Sequence, residues 1–413
     1  MLNNDQRYAS GLMENGYNVF LTGEAGTGKS YVLKDFINTC EELNMQVMVV
    51  APTGIAALNV NGATIHRAFR VPIGPLIEQP KSLPKTLLSA DVLICDEISM
   101  CRIDLFDYMI YQIMQVNAYR RNHGKKDLQI IVVGDFFQLP PVLPPRDFEV
   151  LKHKYPKLNK GYAFESPYWK HCNFKCVNLT QPMRQTDNNF LLSLNKARRG
   201  DKSCVSWFNN NSSKVYDDDA ISIVGKNSTA EDINNEKINE LVGPLVTYTA
   251  SVDGQVKDSD KAAPEIIDLR IGARVMMLVN EPNGKYSNGS FGTVRRLTED
   301  SIFVQIDDSG NTCKIDRYTW EVIDYSVNQG KLKSNVIGTY KQFPLKVGYA
   351  ITIHKSQGQT YEKVNIDPRC WDCGQLYVAL SRCKSIEKMH LMSPIMPNYL
   401  VASNAVIKLY NNM

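Results

Sequence analysis

An eight-residue run, Gly23-Glu24-Ala25-Gly26-Thr27-Gly28-Lys29-Ser30, leaves few folds open to this chain. The apolar Val19-Phe20-Leu21 leads into it, and Val32, Leu33, Phe36 and Ile37 follow at helical spacing. Glycines there let backbone N–H groups close around phosphate oxygens with no Cβ in the way. Lys29 brings a point charge to the β- and γ-phosphates, and Ser30 offers a hydroxyl to Mg²⁺. The whole is a P-loop in its strand–turn–helix setting. Gly26, Thr27, Gly28, Lys29 and Ser30 are therefore candidate ATP ligands, with Lys29 also a candidate catalytic residue.

A P-loop strand needs parallel neighbours. Met45 to Val50, Val92 to Cys95 and Leu128 to Val133 are short, nearly continuous apolar runs separated by helical patterns, the texture of strands buried on both faces. The expected fold class is α/β, a doubly wound parallel sheet flanked by helices. Two of these runs end in groups suited to hydrolysis. Asp96 and Glu97 follow Val92 to Cys95; a carboxylate beside a P-loop can hold Mg²⁺, and its neighbour can orient and deprotonate a water. Gly134 to Pro141 follows the run ending at Val133 and offers Gln138 as a reporter on the γ-phosphate.

At 413 residues the chain has room for two to three domains of about 150 residues each. Lys plus Arg number 47 against 43 for Asp plus Glu, so any nucleic-acid contact must be local rather than a bulk charge effect. No apolar run reaches the ~18 residues of a membrane span. Met1 to Ser10 lacks the features of a signal peptide, and ten scattered cysteines read as reduced thiols. A cytoplasmic enzyme with no membrane partner is expected. Pro72, Pro75, Pro80 and Pro84 mark an exposed insertion, since proline is excluded from element interiors. Residues 143–178 read as the end of a first domain and its linker, where Lys152, Lys154, Lys157 and Lys160 interleave with Tyr155 and Tyr162, the basic-aromatic mix of a nucleic-acid surface. Residues 251–265 read as a polar loop, and residues 272–340 as short strands divided by turns, the pattern of a small antiparallel barrel.

The motifs taken together are recognisable. Ala51-Pro52-Thr53-Gly54-Ile55-Ala56-Ala57, Gly62-Ala63-Thr64-Ile65-His66, Asp96-Glu97-Ile98-Ser99-Met100, Gly134 to Pro141, Thr352 to Gly358 and Tyr377-Val378-Ala379-Leu380-Ser381-Arg382 occur in one order. That set closely resembles superfamily-1 DNA helicases of the petite-integration-frequency type, relatives of RecD-like helicases, from about residue 2 to residue 393. The resemblance implies two RecA-like domains with ATP and Mg²⁺ bound between them, and a small SH3-like β-barrel inserted in the second. The boundaries expected on this basis are 1–178 for the first domain, 179–284 with 343–413 for the second, and 285–342 for the barrel. It further implies 5′-to-3′ movement of a monomer along single-stranded DNA and unwinding at single-strand/duplex junctions, with G-quadruplexes and RNA–DNA hybrids among the family's substrates. A DNA-stimulated translocase or protein-stripping remodeller that unwinds weakly is the alternative.

Residue by residue, the resemblance makes Gln6 the adenine reader, Gly358 a nucleotide contact, and Arg184 and Arg382 the arginines offered to the γ-phosphate. Pro52, Thr53, Thr64 and His66, with Thr352, His354 and Lys355, match positions lining the DNA strand. The insertion at 68–84 corresponds to the wedge, with Phe69 and Ile73 as its apolar tips. Gly348-Tyr349 and Cys370-Trp371-Asp372-Cys373 depart from the family pattern. Cys172 and Cys176 fall in a different expected domain from Cys370 and Cys373, which argues against a shared zinc. The lack of a long N-terminal extension points to a bacterial or phage-type core enzyme.

Overall fold

The computed structural model describes residues 2–72, 74–80, 83–181, 187–307, 309–328 and 331–413. Contacts divide the chain into two units: Met1–Arg184 with Ile323–Ile337 and Lys408–Met413, and Gln185–Val322 with Gly338–Ile407.

The first unit is built on six parallel strands, β1 (Val19–Gly23), β2 (Val47–Ala51), β3 (Ala63–Thr64), β4 (Val92–Cys95), β5 (Gln129–Val133) and β6 (Lys175–Leu179), in the order β3-β2-β4-β5-β1-β6. The period-2 alternation of β1 gives its two faces different cores. Val19 and Leu21 join Val32, Leu33 and Phe36 of the helix that follows the P-loop. Phe20, between them, meets Phe136 and Trp169 at ring distances of 5.4 Å each. Full burial of such side chains contributes about 1.5–3 kcal/mol apiece.

Two helices support the P-loop. α1 (Asn4–Glu14) opens with a reciprocal cap: the Asn3 side chain accepts the Gln6 N–H, and the Gln6 side chain accepts the Asn3 N–H. α2 (Lys29–Glu42) begins directly after Gly28, whose φ of 84° a side chain would oppose. Beyond β2 come α3 (Gly54–Asn59) and α4 (Ile65–Ala68), then α5 (Lys85–Ser89) and the long α6 (Ile103–Asn122). Among the described residues, 71–84 form no helix or strand, as the prolines require.

Residues 143–178 are more than a linker. Pro145–Lys154 is a helix, and β6 pairs with β1 from Val19–Lys175 to Gly23–Leu179. The aromatic residues expected on a basic surface there are buried: Tyr155 donates to Asp107 Oδ2 at 2.6 Å, and Tyr162 is wholly enclosed. Aromatic burial in this unit offsets far more free energy than an exposed stacking face would.

The second unit holds a parallel sheet of Ala350–Thr352, Ile221–Val224, Val364–Ile366 and Met389–Leu391, in that order. Beside it in the chain lies an antiparallel sheet of Thr312–Asp316, Ser301–Ile306, Phe291–Leu297, Arg274–Met277 and Leu345–Val347. This sheet exceeds the expected 285–342 at both ends, because its last pairing joins Met276 to Lys346. The hairpin of Tyr318–Asn328 and Lys331–Gln342 is not part of it. That hairpin pairs instead with Ser251–Gly254, a strand where a loop was expected. Residues Ile323–Ile337 of the hairpin group with the first unit, where Tyr325 Oη accepts the Val49 N–H at 3.2 Å.

Candidate functional site

The order β4-β5-β1 brings three loops together at the carboxyl ends of adjacent strands. Asp96-Glu97 leaves β4, Gly134 to Gln138 leaves β5, and the P-loop leaves β1. This is the edge at which open α/β sheets bind ligands. The loops touch: the Gly134 N–H donates to the Leu21 carbonyl at 3.1 Å, and a Cβ on Gly134 would lie 3.0 Å from the Ile98 nitrogen.

Lys29 Nζ donates to the carbonyls of Gly23 at 3.0 Å and Glu24 at 2.9 Å, so the ammonium is folded over the loop it serves. Buried Thr27 donates its hydroxyl to the Glu24 carbonyl at 3.0 Å. Gln6 is fully buried, and its Nε2 donates to the Thr27 carbonyl at 3.2 Å. The expected adenine reader thus also braces the P-loop from beneath. Ser30, in the first turn of α2, is exposed.

Asp96 accepts the Glu97 N–H on Oδ1 at 2.9 Å. Burial pushes its carboxyl above the usual range, opposed by that hydrogen bond and by the charge of Lys29. Glu97 adopts φ 51° and ψ 44°, a left-handed conformation costly for a residue with a Cβ. Such strain is retained where it aims a functional group. Gln138 is buried, its N–H on the Asp135 carbonyl at 2.9 Å.

The first-unit residues expected along a DNA strand sit at short helices. Thr53 and Thr64 cap α3 and α4, their hydroxyls accepting the N–H groups of Ala56 and Arg67 at 3.3 Å each. Pro52 and His66 are half-buried beside them. In the second unit, His354 and Lys355 are exposed, whereas Thr352 is buried and accepts the Lys355 N–H at 3.4 Å. Desolvation by surrounding groups lowers the pKa of His354, with Asp372 acting in the opposite direction. Gly358 is exposed at φ 78°.

Three expected residues fare differently. Arg184 and Ile73 lie outside the described residues. Phe69 is 0 % exposed and is no wedge tip: it ends α4, and its carbonyl accepts from Gln112 of α6 at 3.3 Å. Its side chain belongs to the buried core. Among the described residues of the insertion, the large apolar side chains that face solvent are Ile77, 55 % exposed, and Leu83, 37 % exposed. Their loop is held at its base, where Arg102 donates to the Gly74 carbonyl at 3.0 Å and Asp104 accepts the Leu76 N–H at 2.9 Å. Arg382 is buried rather than presented. Its guanidinium donates to the carbonyls of Val378, Ser356 and Gln359 and to the Ser381 hydroxyl.

One residue at the nucleotide edge escaped the sequence reading altogether. Tyr410 shares a 2.5 Å hydrogen bond with Thr22 in β1 and accepts the Phe136 N–H at 3.2 Å. Its only sequence signal is an aromatic on the apolar side of a terminal helix. Tyr410→Phe should lower the stability of this unit by about 1–3 kcal/mol, measured by urea unfolding, because the buried Thr22 hydroxyl loses its phenol partner. An unchanged midpoint would show that the bond contributes nothing.

Residues 1–208 match the family model described as PIF1-like helicase. The chain is 30% identical over 430 residues to the ATP-dependent DNA helicase Pif1 of Campylobacter jejuni, covering 96% of this chain and 93% of that protein. A crystal structure of Bacteroides sp. Pif1 in complex with ADP-AlF4 superposes with a TM-score of 0.88 at 32% identity, covering 100% of this chain and 97% of the other. Bacteroides Pif1 bound to ssDNA superposes with a TM-score of 0.69 at 32% identity, with coverage of 100% and 97%. Among the described residues, no helix is long and apolar enough to cross a membrane.

Proposed function

The chain belongs to the PIF1-like helicases and is an ATP-dependent DNA helicase, and from that premise we propose that it acts as a monomer, moves 5′-to-3′ along single-stranded DNA and opens duplex at forks. The observation that carries the catalytic half is the meeting of Lys29, Asp96 and a strained Glu97 at one sheet edge. Direction and the monomeric state rest on the family resemblance.

In this reading the P-loop N–H groups and Lys29 cradle the phosphates of ATP. Ser30 and Asp96 would hold Mg²⁺; a hydroxyl and a carboxylate are the hard oxygen donors that this ion takes beside phosphates. When bound, the ion neutralises charge developing on the β- and γ-phosphate oxygens. Asp96 fits that duty, because its burial penalises an uncompensated negative charge. Glu97 orients the attacking water and takes its proton, and Gln138 reads the γ-phosphate. Gln6 holds the P-loop and faces the base. The family resemblance assigns Arg184, Gly358 and Arg382 to the nucleotide as well, and for Arg382 that role requires its bonds to the Val378, Ser356 and Gln359 carbonyls to be exchanged.

Along the strand, Thr53 and Thr64 each accept one backbone N–H, and the same hydroxyl can donate its proton to a phosphate. Such neutral hydroxyl contacts, beside Pro52, His66, Thr352 and His354 and with Lys355 as the one cation of the set, hold a backbone without gripping it too tightly to step. G-quadruplexes and RNA–DNA hybrids are further substrates in this reading.

Steady-state ATP hydrolysis with and without a single-stranded oligonucleotide tests the coupling, and 5′- against 3′-tailed duplexes test direction. Strong stimulation and 5′-tail preference are expected; no stimulation, or a 3′ preference, overturns the reading. The burial of Phe69 favours weighing the weakly unwinding translocase as well. If the insertion is a wedge, Ile77→Ala with Leu83→Ala should lower forked-duplex unwinding much more than ATP hydrolysis. Equal effects on both, or none, would remove the wedge role.

A further inference from the structure

The segment Cys370-Trp371-Asp372-Cys373 has a clear geometric sense. Cys370 and Cys373 are buried, 4 % and 7 % exposed, and anchor the segment at both ends. Trp371 between them is turned outward and is 56 % exposed. Its backbone is fixed: the N–H groups of Trp371 and Asp372 both donate to Oε1 of buried Gln375, at 3.1 and 3.2 Å. The indole itself is seated. A Cβ on Gly225 would lie 2.7 Å from ring atom Cζ3 and 2.9 Å from Cη2, so only glycine lets the ring settle there. Lys226 Nζ stands 6.0 Å from a ring centroid of the same indole.

This outward ring lies at a ligand edge. Gly225 follows the strand Ile221–Val224, which is flanked in the parallel sheet by Ala350–Thr352 and Val364–Ile366. The segment carrying His354 and Lys355 leaves the first of those neighbours, and its Ile353 N–H donates to the Val224 carbonyl at 2.9 Å. The segment carrying Trp371 leaves the second, and Asp372 is close enough to His354 to act on its charge. A pinned indole, open to solvent beside Lys226 and continuous with two residues matched to strand contacts, suits a flat base next to a phosphate chain. Sequence-tolerant single-strand binding requires that combination. Asp372 works against a phosphate at this spot; its Oδ1 is engaged by the Cys373 N–H at 2.7 Å.

We propose that Trp371 is a stacking platform for one base of the bound single strand, seated on Gly225 and flanked by Lys226, His354 and Lys355. The proposal rests on the reading that His354 and Lys355 contact that strand. Trp371 carries no phosphate contact in this account; it binds the base.

The test uses the full chain, without nucleotide, and an oligo-dT of ~12 nucleotides, within the usual site sizes of single-strand binders. Trp371→Ala should raise Kd about tenfold, and Trp371→Phe, which keeps a ring, much less. Gly225→Ala, which displaces the ring without removing it, should also weaken binding. The other three tryptophans are buried or half-buried, so the fluorescence quenching that dT produces in the native protein should vanish in Trp371→Phe. An abasic oligonucleotide of the same length should bind the native protein and Trp371→Ala equally. Equal dT affinity of native protein and Trp371→Ala, or an equal loss on the abasic strand, overturns the proposal. A His354→Ala/Lys355→Ala variant separates the two readings. If it binds dT like the native protein, the assigned strand contacts fail, whatever Trp371 shows. If the native protein binds no dT, both fail.

Discussion

Replacing Glu97 with glutamine should lower kcat for DNA-stimulated ATP hydrolysis by about 10²–10⁴-fold, the usual contribution of a positioned general base. Binding of ATP and of single-stranded DNA should persist, because the amide keeps the shape of the side chain and loses only its ability to take a proton. The backbone makes the expectation sharper. Glu97 holds φ 51° while its own N–H is fixed to Asp96 Oδ1 at 2.9 Å. A residue with a Cβ costs roughly 1–2 kcal/mol in that conformation. Glycine would relieve the strain, so Glu97→Gly should be inactive without being less stable to urea. Normal turnover in Glu97→Gln would remove the residue from the base's role. A clear loss of stability in Glu97→Gly would mean that the carboxylate is structural.

Arg382→Ala should reduce the stability of the second unit by about 3–5 kcal/mol, since carbonyls of Val378, Ser356 and Gln359 would lose a buried partner. Urea unfolding followed by far-UV circular dichroism measures this, and amide exchange at residues 356–361 localises it. Arg382→Lys should recover only part of the loss, because an ammonium cannot fork toward several acceptors as a guanidinium does. The family role at the γ-phosphate requires these bonds to be exchanged for phosphate oxygens. ATP hydrolysis should therefore fall in both variants, with Lys folded and slow. If Arg382→Ala is as stable as the native protein and only hydrolysis fails, the bonds to the 356–359 segment contribute little.

The local geometry of the candidate nucleotide site was largely legible in the chain. Gly26 and Gly28 encode positive φ locally, the apolar run of β1 encodes a buried parallel strand, and Asp96-Glu97 sits one step beyond another such run. Each of these signals acts over a few residues. What could not be read is what depends on partners far along the chain. Phe69 resembled a wedge tip because it stands at the start of a proline-rich insertion, but its side chain is fully buried and its carbonyl is tied to Gln112 of α6. Tyr155 and Tyr162 looked like a stacking surface among lysines, but Asp107 and the aromatic cluster around Phe136 enclose them. The antiparallel sheet was read over residues 272–340, and its last strand, Leu345–Val347, was missed because its pairing with Arg274–Met277 leaves no local mark.

Backbone geometry and strand identity follow from neighbouring residues, because sterics and alternation act within a turn or a pleat. They were enough to read a P-loop, a doubly wound sheet and a candidate carboxylate pair. Burial is different in kind, since water is excluded from a side chain by whatever segment packs over it. That is why the fates of Phe69, Arg382 and Tyr410, and the outward seat of Trp371 on Gly225, emerged only from the folded molecule.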